Sequence, residues 1–386
     1  MTSVDATRRR WLQTLALTGV FPAWGLARAA TEPPWTLALA WSEPGASATA
    51  ERIACVGVWR QVDDRFEVLA RRVVPTRPHG VASLPTGDLL AVARRPGLWL
   101  QRWSRAGELT GEAWAEPGRH FNGHVLPSPD GRLIYSTEQT HDDGAGCVAL
   151  RDARSLALLD EWPTGGTDTH QMLRVGDRLF VANGGVPTRP ETGRAKQNLS
   201  AMDSSLVAFD LRTGQRRGPW RLPDARLSLR HLAWHAPSAT LGIALQAEHD
   251  DPAQRARAPL LALFDGDRLQ VVEPPAEQAA LGGGYAGDIA ATGQGFVLSA
   301  SRAGALWGWS RQEGWTTPIP LAEACALVTA GAAGAEGAVS AVSAVSAVSA
   351  VERVNSPCAL GSDRAWLGRP IALPPGCKPD NHAIVI

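Results

Sequence analysis

From residue 79 onward, a hairpin unit led by histidine recurs at intervals of 45, 46 and 61 residues. Within each unit, short apolar runs are separated by turn sequences such as Gly87-Asp88 and Asp130-Gly131. The units open at His79, His124, His170 and His231. Repeats of about 40–50 residues with four short strands are typical of propeller blades. The chain is therefore predicted to be all-β, a β-propeller of four-stranded antiparallel sheets.

The number of blades follows from how many units fit the chain. A fifth unit begins near Gly287-Asp288, and two more fit residues 35–75 and 322–386. We therefore expect seven blades, with six and eight as the alternatives. If the first strand, around Trp35–Trp41, completed the last unit, the ring would close without an open sheet edge.

Two segments interrupt the repeat. Residues Val186–Asp203 form a long polar insertion in the third histidine-led unit and are expected to leave the sheet as a loop over one face. Residues Ala338–Val351 repeat Ala-Val-Ser, a three-residue period that matches neither helix nor strand. We expect this tract 338–351 to be a flexible surface loop inside the propeller domain, residues 31–386.

Residues 1–30 have the three-part layout of a signal peptide for export by the twin-arginine (Tat) pathway. Arg8 and Arg9 precede a short apolar stretch, Leu15–Leu26, and Ala27-Arg28-Ala29 resembles a cleavage site. A membrane anchor is the alternative, but the stretch is shorter than the ~20 apolar residues that a spanning helix needs. The sequence therefore predicts a periplasmic protein with no stable membrane insertion.

Composition and missing motifs narrow the function further. The formal net charge is zero, which gives no support for a nucleic-acid partner. None of the five cysteines forms a Cys-x-x-Cys pair, so covalent haem and thiolate zinc sites are not indicated, and Cys358 with Cys377 is the candidate disulfide. Nucleophile-elbow, His-Glu-x-x-His, P-loop and dinucleotide motifs are absent. We favour a non-catalytic role, with an enzyme left open.

The four unit-opening histidines point to one shared site. The first strand of a blade runs along the central channel, so equivalent positions of successive blades lie side by side around the axis. Four imidazoles are then expected at one channel mouth, where neutral nitrogens suit a transition metal such as Fe, Cu or Zn. Acid–base chemistry near neutral pH is a second possibility. The structural alternative is that each histidine only holds a neighbouring turn by hydrogen bonds.

Other polar residues are predicted at the same mouth because they flank the histidines or end the second strands. They are His120, Asn122, Glu138, Asp168, Asn183, Arg230, Gln246 and Asp288. Asp288 stands where the fifth unit lacks a histidine. The remaining histidines are expected in loops or on the surface; they are His141, His235, His249 and His382.

Several sequence blocks resemble an uncharacterised exported family, the domain-of-unknown-function family 1513. They are Arg77–Gly80, Gly118–His124, Ser128–Arg132, Val181–Gly185, Thr192–Lys196 with Asn198-Leu199, and Ser228–Leu232. The resemblance implies a periplasmic, propeller-like protein. Members are typically encoded near imelysin-type and di-haem peroxidase-like proteins, a setting linked with iron uptake. The family has no assigned catalytic residues, so none is carried over to this chain.

These observations favour a periplasmic propeller that assists iron, or other transition-metal, acquisition through its histidine-lined mouth. The cofactor would be Fe or Cu, and the partner an imelysin-type iron-uptake protein. Two alternatives stay open. A metal-dependent hydrolase or redox enzyme would need an acidic metal ligand, for which Glu138 and Asp288 are the candidates. A non-catalytic interaction scaffold would use residues 186–203 as its contact surface.

Overall fold

The computed structural model describes residues 34–47, 49–186, 188, 196, 199–329 and 357–386. The predicted export signal, the Ala-Val-Ser tract 338–351 and most of the insertion 186–203 lie outside these residues. Within them, the helices are the short α1 (Pro252–Arg257) and three 3-10 turns, Leu199–Ala201, Ala236–Ser238 and Ala279–Gly282. No helix in this part of the chain is long and apolar enough to cross a membrane.

The remaining regular structure consists of β-strands that pair antiparallel with one exception, and the first four blades follow the predicted hairpin units. The first blade contains β1 (Thr36–Glu43), β2 (Ile53–Val62) and β3 (Arg65–Val73). The second contains β4 (Pro78–Ser83), β5 (Leu89–Ala93), β6 (Trp99–Trp103) and β7 (Leu109–Trp114). The third contains β8 (Arg119–Pro127), β9 (Leu133–Thr140), β10 (Ala145–Asp152) and β11 (Leu158–Thr167). The fourth contains β12 (Thr169–Val175), β13 (Arg178–Asn183), β14 (Ser205–Asp210) and β15 (Arg216–Trp220).

Three further blades complete the architecture. The fifth contains β16 (Leu227–His235), β17 (Thr240–Ala247), β18 (Leu261–Phe264) and β19 (Leu269–Val272). The sixth contains β20 (Asp288–Ala291), β21 (Gly295–Ala300), β22 (Ala305–Ser310), β23 (Gly314–Trp315) and β24 (Ile319–Pro320). The seventh contains β25 (Leu327–Val328), β26 (Cys358–Leu360), β27 (Arg364–Trp366) and β28 (Pro370–Ala372). The last strand, β29 (Lys378–Val385), returns to the first blade.

The first strands of the seven blades form a closed ring. Strand β4 contacts β8, and the same contact repeats from β8 through β12, β16, β20 and β25 to β29, which contacts β4. The strands of each sheet then follow one another outward in order. This arrangement is a seven-bladed β-propeller, so the predicted fold class is confirmed.

The prediction that the first strand of the chain completes the last blade is wrong, because the last strand of the chain completes the first blade. The segment 322–386 already supplies the four strands β25–β28 of the seventh blade, so it does not need the first strand of the chain. Instead, β29 pairs with β1, through register partners such as Leu37 with Val385 and Ser42 with Lys378. The first blade therefore consists of β29, β1, β2 and β3, and its innermost strand comes from the far end of the sequence.

Apolar side chains fill the spaces between adjacent blades. Trp41 and Trp59 are almost fully buried, with ring centroids 5.4 Å apart, in the core between the first and seventh blades. The candidate disulfide between Cys358 and Cys377 is wrong, because all five cysteines are buried free thiols. Burial in apolar surroundings raises the pKa of Cys325 to about 12, which disfavours the reactive thiolate.

Candidate functional site

A shared irregularity of the backbone positions the histidines. In the first strands of blades two to five, the pairing register shifts around His79, His124, His170 and His231. Each first strand carries one or two more residues across the shift than its partner strand, which is a β-bulge. Bulges re-aim a side chain out of the regular pleat, and they are frequent beside functional sites. The repeated bulge turns each imidazole toward the propeller axis.

The four imidazoles converge as the repeat predicted. One ring nitrogen from each of them lies within 4.8 Å of the others, and all four residues are buried. The Nε2 atoms of His170 and His231 are 3.2 Å apart. Two nitrogen ligands of one tetrahedral ion are about 3.3 Å apart when each bond is about 2.0–2.1 Å. The His170–His231 pair has this spacing, whereas nitrogens as much as 4.8 Å apart would move closer by about half an ångström or more on binding one ion, since two such bonds span at most about 4.2 Å.

Close approach of two strands brings His79 and His124 together. Gly123 adopts φ +94°, and a Cβ atom there would lie 2.8 Å from Cδ2 of His79. A Cβ atom on Gly80 would lie 2.5 Å from the carbonyl oxygen of Gly123. Glycine at both positions is required for β4 and β8 to pack at this distance.

A fifth histidine, which the sequence reasoning placed in a loop or on the surface, joins the cluster. The ring of His382 lies 4.6 Å from His79, 4.8 Å from His124 and 4.7 Å from His231, centroid to centroid. The expectation for His382 was wrong because β29 is the first strand of blade one, although it lies at the other end of the sequence. Recognising β29 as the strand that closes the ring would have identified this histidine.

Some buried ring nitrogens in the cluster lack partners. Nε2 of His124 and Nε2 of His382 are inaccessible to solvent and make no hydrogen bond to any described residue. Buried polar atoms in folded proteins are nearly always hydrogen-bonded, so such atoms point to a missing ligand. An unprotonated imidazole nitrogen can donate its lone pair to a metal ion.

Burial keeps these imidazoles neutral. Desolvation lowers the pKa of His79 to about 4 and the pKa of His231 to about 3, although hydrogen bonding to Asp380 opposes the shift of the His79 pKa. The pKa values of His124, His170 and His382 are also lowered well below the usual range by burial and by the neighbouring rings. At neutral pH, all five rings are therefore available as uncharged nitrogen ligands.

The metal-free protein should lose stability as the pH falls below about 6.5. An unfolded histidine binds a proton there, whereas folded His79 binds one only near pH 4, so acid favours the unfolded chain. Replacing His79 by glutamine should reduce the slope of unfolding free energy against pH by about 1.4 kcal/mol per pH unit near pH 5. Urea unfolding of both proteins in a chelating buffer measures this difference.

Above about pH 7.5, the unfolding free energy of the unchanged protein and of His79→Gln should vary with pH at the same slope, because the imidazole of His79 is neutral in both the folded and the unfolded chain. The lowered pKa of Asp380 affects stability only below about pH 5, since the unfolded carboxylate titrates near 3.9. Equal slopes near pH 5 would contradict the assignment of a neutral, buried His79.

Two carboxylates lie directly behind the histidines. Asp380 faces Nδ1 of His79 at 3.4 Å and also pairs with Arg77. Asp288 faces Nδ1 of His231 at 3.7 Å and accepts hydrogen bonds from the backbone N–H groups of Ile289 and Leu327, both at 2.9 Å. Burial raises the pKa of Asp288 to about 8. A carboxylate behind a metal-binding imidazole orients the ring and increases its basicity, a role open to ionised Asp380 behind His79, whereas Asp288 is largely protonated at neutral pH.

A buried ion network borders the cluster. Asp168, fully buried, binds Arg95 and accepts a hydrogen bond of 2.5 Å from Nη1 of Arg230. Arg230 directly precedes His231 on β16, and Asp168 directly precedes β12. Gly184 leaves room for this pair, since a Cβ atom there would lie 2.4 Å from Oδ2 of Asp168. The network ties blades two, four and five together around the axis.

The free space beside the histidines is small. A cavity of about 20 Å³ touches three of the five histidines, and its lining consists of His79, Arg94, Arg95, His170, His231, Gln246, Tyr285 and Asn381. One water molecule needs about 10–15 Å³ of accessible space in such a cavity. The cavity therefore accommodates an ion or one or two small molecules but no organic cofactor.

The other predicted mouth residues have different surroundings. Gln246 lines the cavity and donates to the carbonyl of Ala286 at 3.2 Å. Asn183 bonds Thr169 and Ser205 within the fourth blade. His120 stacks on His141, with ring centroids 5.3 Å apart. Asn183 and His120 therefore make their contacts outside the five-histidine cluster.

Glu138 and Asn122 are both fully buried and differ in their contacts. Glu138 accepts hydrogen bonds from Ser136 and Arg151, at 2.6 and 3.0 Å, and Arg119 lies 3.5 Å away. Arg151 also lies over the ring of Phe121, 5.0 Å from its centroid. Neither polar atom of the Asn122 side chain has a hydrogen-bond partner among the described residues. The Glu138 carboxylate is thus occupied by arginines rather than by the histidine cluster.

Similarity to solved structures supports the fold alone. Hydrazine synthase of Kuenenia stuttgartiensis aligns with a TM-score of 0.51 and 10% identity over 74% of this chain and 87% of that chain. A Dos1 propeller aligns with a TM-score of 0.47 and 11% identity over 82% and 79%. The Neurospora crassa Pan2 WD40 domain aligns with a TM-score of 0.40 and 13% identity over 64% and 69%.

At the sequence level, no curated protein matches this chain. The profile of a family described as "Protein of unknown function (DUF1513)" matches residues 72–366. The matched range contains β4, β8, β12 and β16, and thus the four histidines that open blades two to five. Since the match covers more than half of the chain and agrees with the motif resemblance, this propeller belongs to the DUF1513 family.

Proposed function

We propose that this protein binds one transition-metal ion, iron or copper, in the histidine cluster on the propeller axis. The observation that carries the proposal is the convergence of buried imidazoles from successive blades, with ring nitrogens within 4.8 Å of one another. Imidazole nitrogens suit Fe, Cu, Zn and Ni, and neutral rings need lose no proton to bind. The unpartnered Nε2 atom of His124 supports the same conclusion.

The surroundings favour binding of an ion over catalysis on an organic substrate. The cavity beside the rings, about 20 Å³, is too small for a sugar, a lactone or a quinone cofactor. The two acidic residues considered as metal ligands are used otherwise. Glu138 is bound by arginine, and Asp288 faces Nδ1 of His231, behind the ring. The arrangement is suited to holding an ion in a fixed geometry.

In the cell, we assign this ion to metal acquisition in the periplasm. The support is the resemblance to an exported family whose members are encoded near imelysin-type iron-uptake proteins, and an imelysin-type protein is the partner in this proposal. Native capture of the tagged propeller from periplasm, followed by mass spectrometry, should recover that partner. Capture of the propeller without it would remove this part of the proposal and leave metal binding intact.

Elemental analysis tests the central claim directly. Protein purified from its native host without chelators should contain close to one iron or copper ion per chain. The chelated protein should take up one ion again on titration. A preparation without bound metal that also fails to bind Fe²⁺, Cu²⁺ or Zn²⁺ would overturn the proposal and leave the histidines with a structural role.

A further inference from the structure

The strand that closes the ring carries the same local feature as the four histidine-led strands. The register between β29 and β1 shifts between the pairs Leu39–Ala383 and Trp41–Pro379, and His382 lies inside the shifted segment. This is the bulge that surrounds each of the other four histidines. By contrast, β20 pairs with β21 in continuous register and carries Asp288 instead. The bulge therefore accompanies histidine in all five strands.

The ring positions fit five ligands around one centre. An imidazole centroid lies about 3.2 Å from a metal bound through a bond of about 2.0–2.1 Å. Ligands about 90° apart then have centroids about 4.5 Å apart, and ligands about 120° apart have centroids about 5.5 Å apart. His382 lies 4.6, 4.8 and 4.7 Å from His79, His124 and His231. His382 thus takes an apical position above these three rings.

The three rings below His382 spread like an equatorial set. His79 and His124 are 5.0 Å apart, His124 and His231 5.4 Å, and His79 and His231 6.2 Å. His170 lies on the remaining side, 4.6 Å from His124 and 5.0 Å from His231. His170 is also 6.1 Å from His79, farther than the about 4.5 Å of ligands 90° apart, so the five rings surround one centre without forming a regular bipyramid.

We infer that His382 is a fifth ligand of the ion, and that the ion thereby fastens the closing strand β29 to blades two to five. The inference rests on the proposed function. Among the described strands, β29 pairs through its backbone only with β1 and forms the end of its sheet, and the side chain of Asp380 is its link to Arg77 and to His79 of β4. An ion bound by His382 adds a link from β29 to four other blades, so its binding free energy also opposes opening of the ring. Five nitrogen ligands also disfavour Zn²⁺, whose structural sites are tetrahedral.

Cobalt(II) is a suitable probe, because its visible absorption is weaker with five ligands than with four. The His382→Ala variant should bind Co²⁺ at least about tenfold more weakly than the unchanged protein, since ligand-supporting groups alone contribute 10–100-fold. Its Co²⁺ complex should absorb more strongly. The matched control is His141→Ala, a histidine whose ring stacks on His120 and has no ring contact with the five-histidine cluster among the described residues. The control should change neither affinity nor spectrum.

Hydrogen exchange on the unchanged protein provides a second test that needs no variant. Metal should slow exchange of the β29 and β1 amides by at least about tenfold relative to the chelated protein. In His382→Ala, that extra protection should disappear. If the unchanged protein binds Co²⁺ but His382→Ala has the same affinity and spectrum, the inference is wrong and the proposed function stands. If the unchanged protein binds no metal, the proposed function fails first.

Discussion

Replacing His124 and His170 together by alanine should weaken transition-metal binding by about four orders of magnitude. Structural metal sites with four ligands bind with about 10–16 kcal/mol, or about 3 kcal/mol for each ligand. Removal of two ligands then costs about 6 kcal/mol, which is about 10⁴-fold in the dissociation constant. Both rings are buried in the cluster, with centroids 4.6 Å apart, so they would contact the same ion. Calorimetric or competitive chelator titration measures the change.

The matched control replaces two histidines outside the cluster, His141 and His249. His141 stacks on His120, and Nε2 of His249 lies 2.9 Å from a carboxylate oxygen of Asp224. This control removes the same chemical groups but should leave metal affinity unchanged. Unaltered affinity in His124→Ala/His170→Ala, in a variant whose circular dichroism shows an intact fold, would exclude the cluster as the metal site.

Replacing Asp168 by asparagine should lower the free energy of unfolding by about 3–5 kcal/mol, the usual cost of leaving a buried charge without its partner. Asp168 is fully buried and binds both Arg95 and Arg230. Among the described residues, it is the only hydrogen-bond partner of the Arg230 side chain. The backbone of residue 168 is left-handed, with φ +55°, and asparagine tolerates this conformation, so the change isolates the charge.

The control for this prediction is Asp177→Asn. Asp177 lies 3.9 Å from Arg212, and both side chains are about three-quarters exposed. An exposed pair contributes at most about 1 kcal/mol, so this variant should unfold close to the midpoint of the unchanged protein. Urea unfolding followed by tryptophan fluorescence compares the three proteins. Equal midpoints for Asp168→Asn and Asp177→Asn would contradict the role assigned to the buried network.

Much of the fold could be predicted from the sequence because the strands of most blades are consecutive along the chain. Each hairpin is specified by alternating apolar residues and by a turn, as at Gly87 and Gly131, which adopt φ +89° and +67°. The repeat of histidine at each unit start then placed four side chains on the same strand of successive blades. Since first strands surround the axis, the convergence of His79, His124, His170 and His231 could be deduced without coordinates.

Residues that depend on contacts between distant segments could not be assigned in this way. The role of Asp168 depends on Arg95 and Arg230, which lie 73 and 62 residues away along the chain. Alternation within a strand does not show which face will meet which blade.

The amino-acid sequence by itself determined the hairpins and turns of the central blades and the four histidines that open blades two to five, and it favoured seven blades, since local pattern and regular spacing encode them. Only the tertiary structure decided how the ring closes and, with it, the place of His382. His382 lies on β29, which pairs with β1 more than 300 residues earlier in the sequence. Its position depends on which open sheet edge remains when the other blades have formed, and no local signal in the sequence records that outcome.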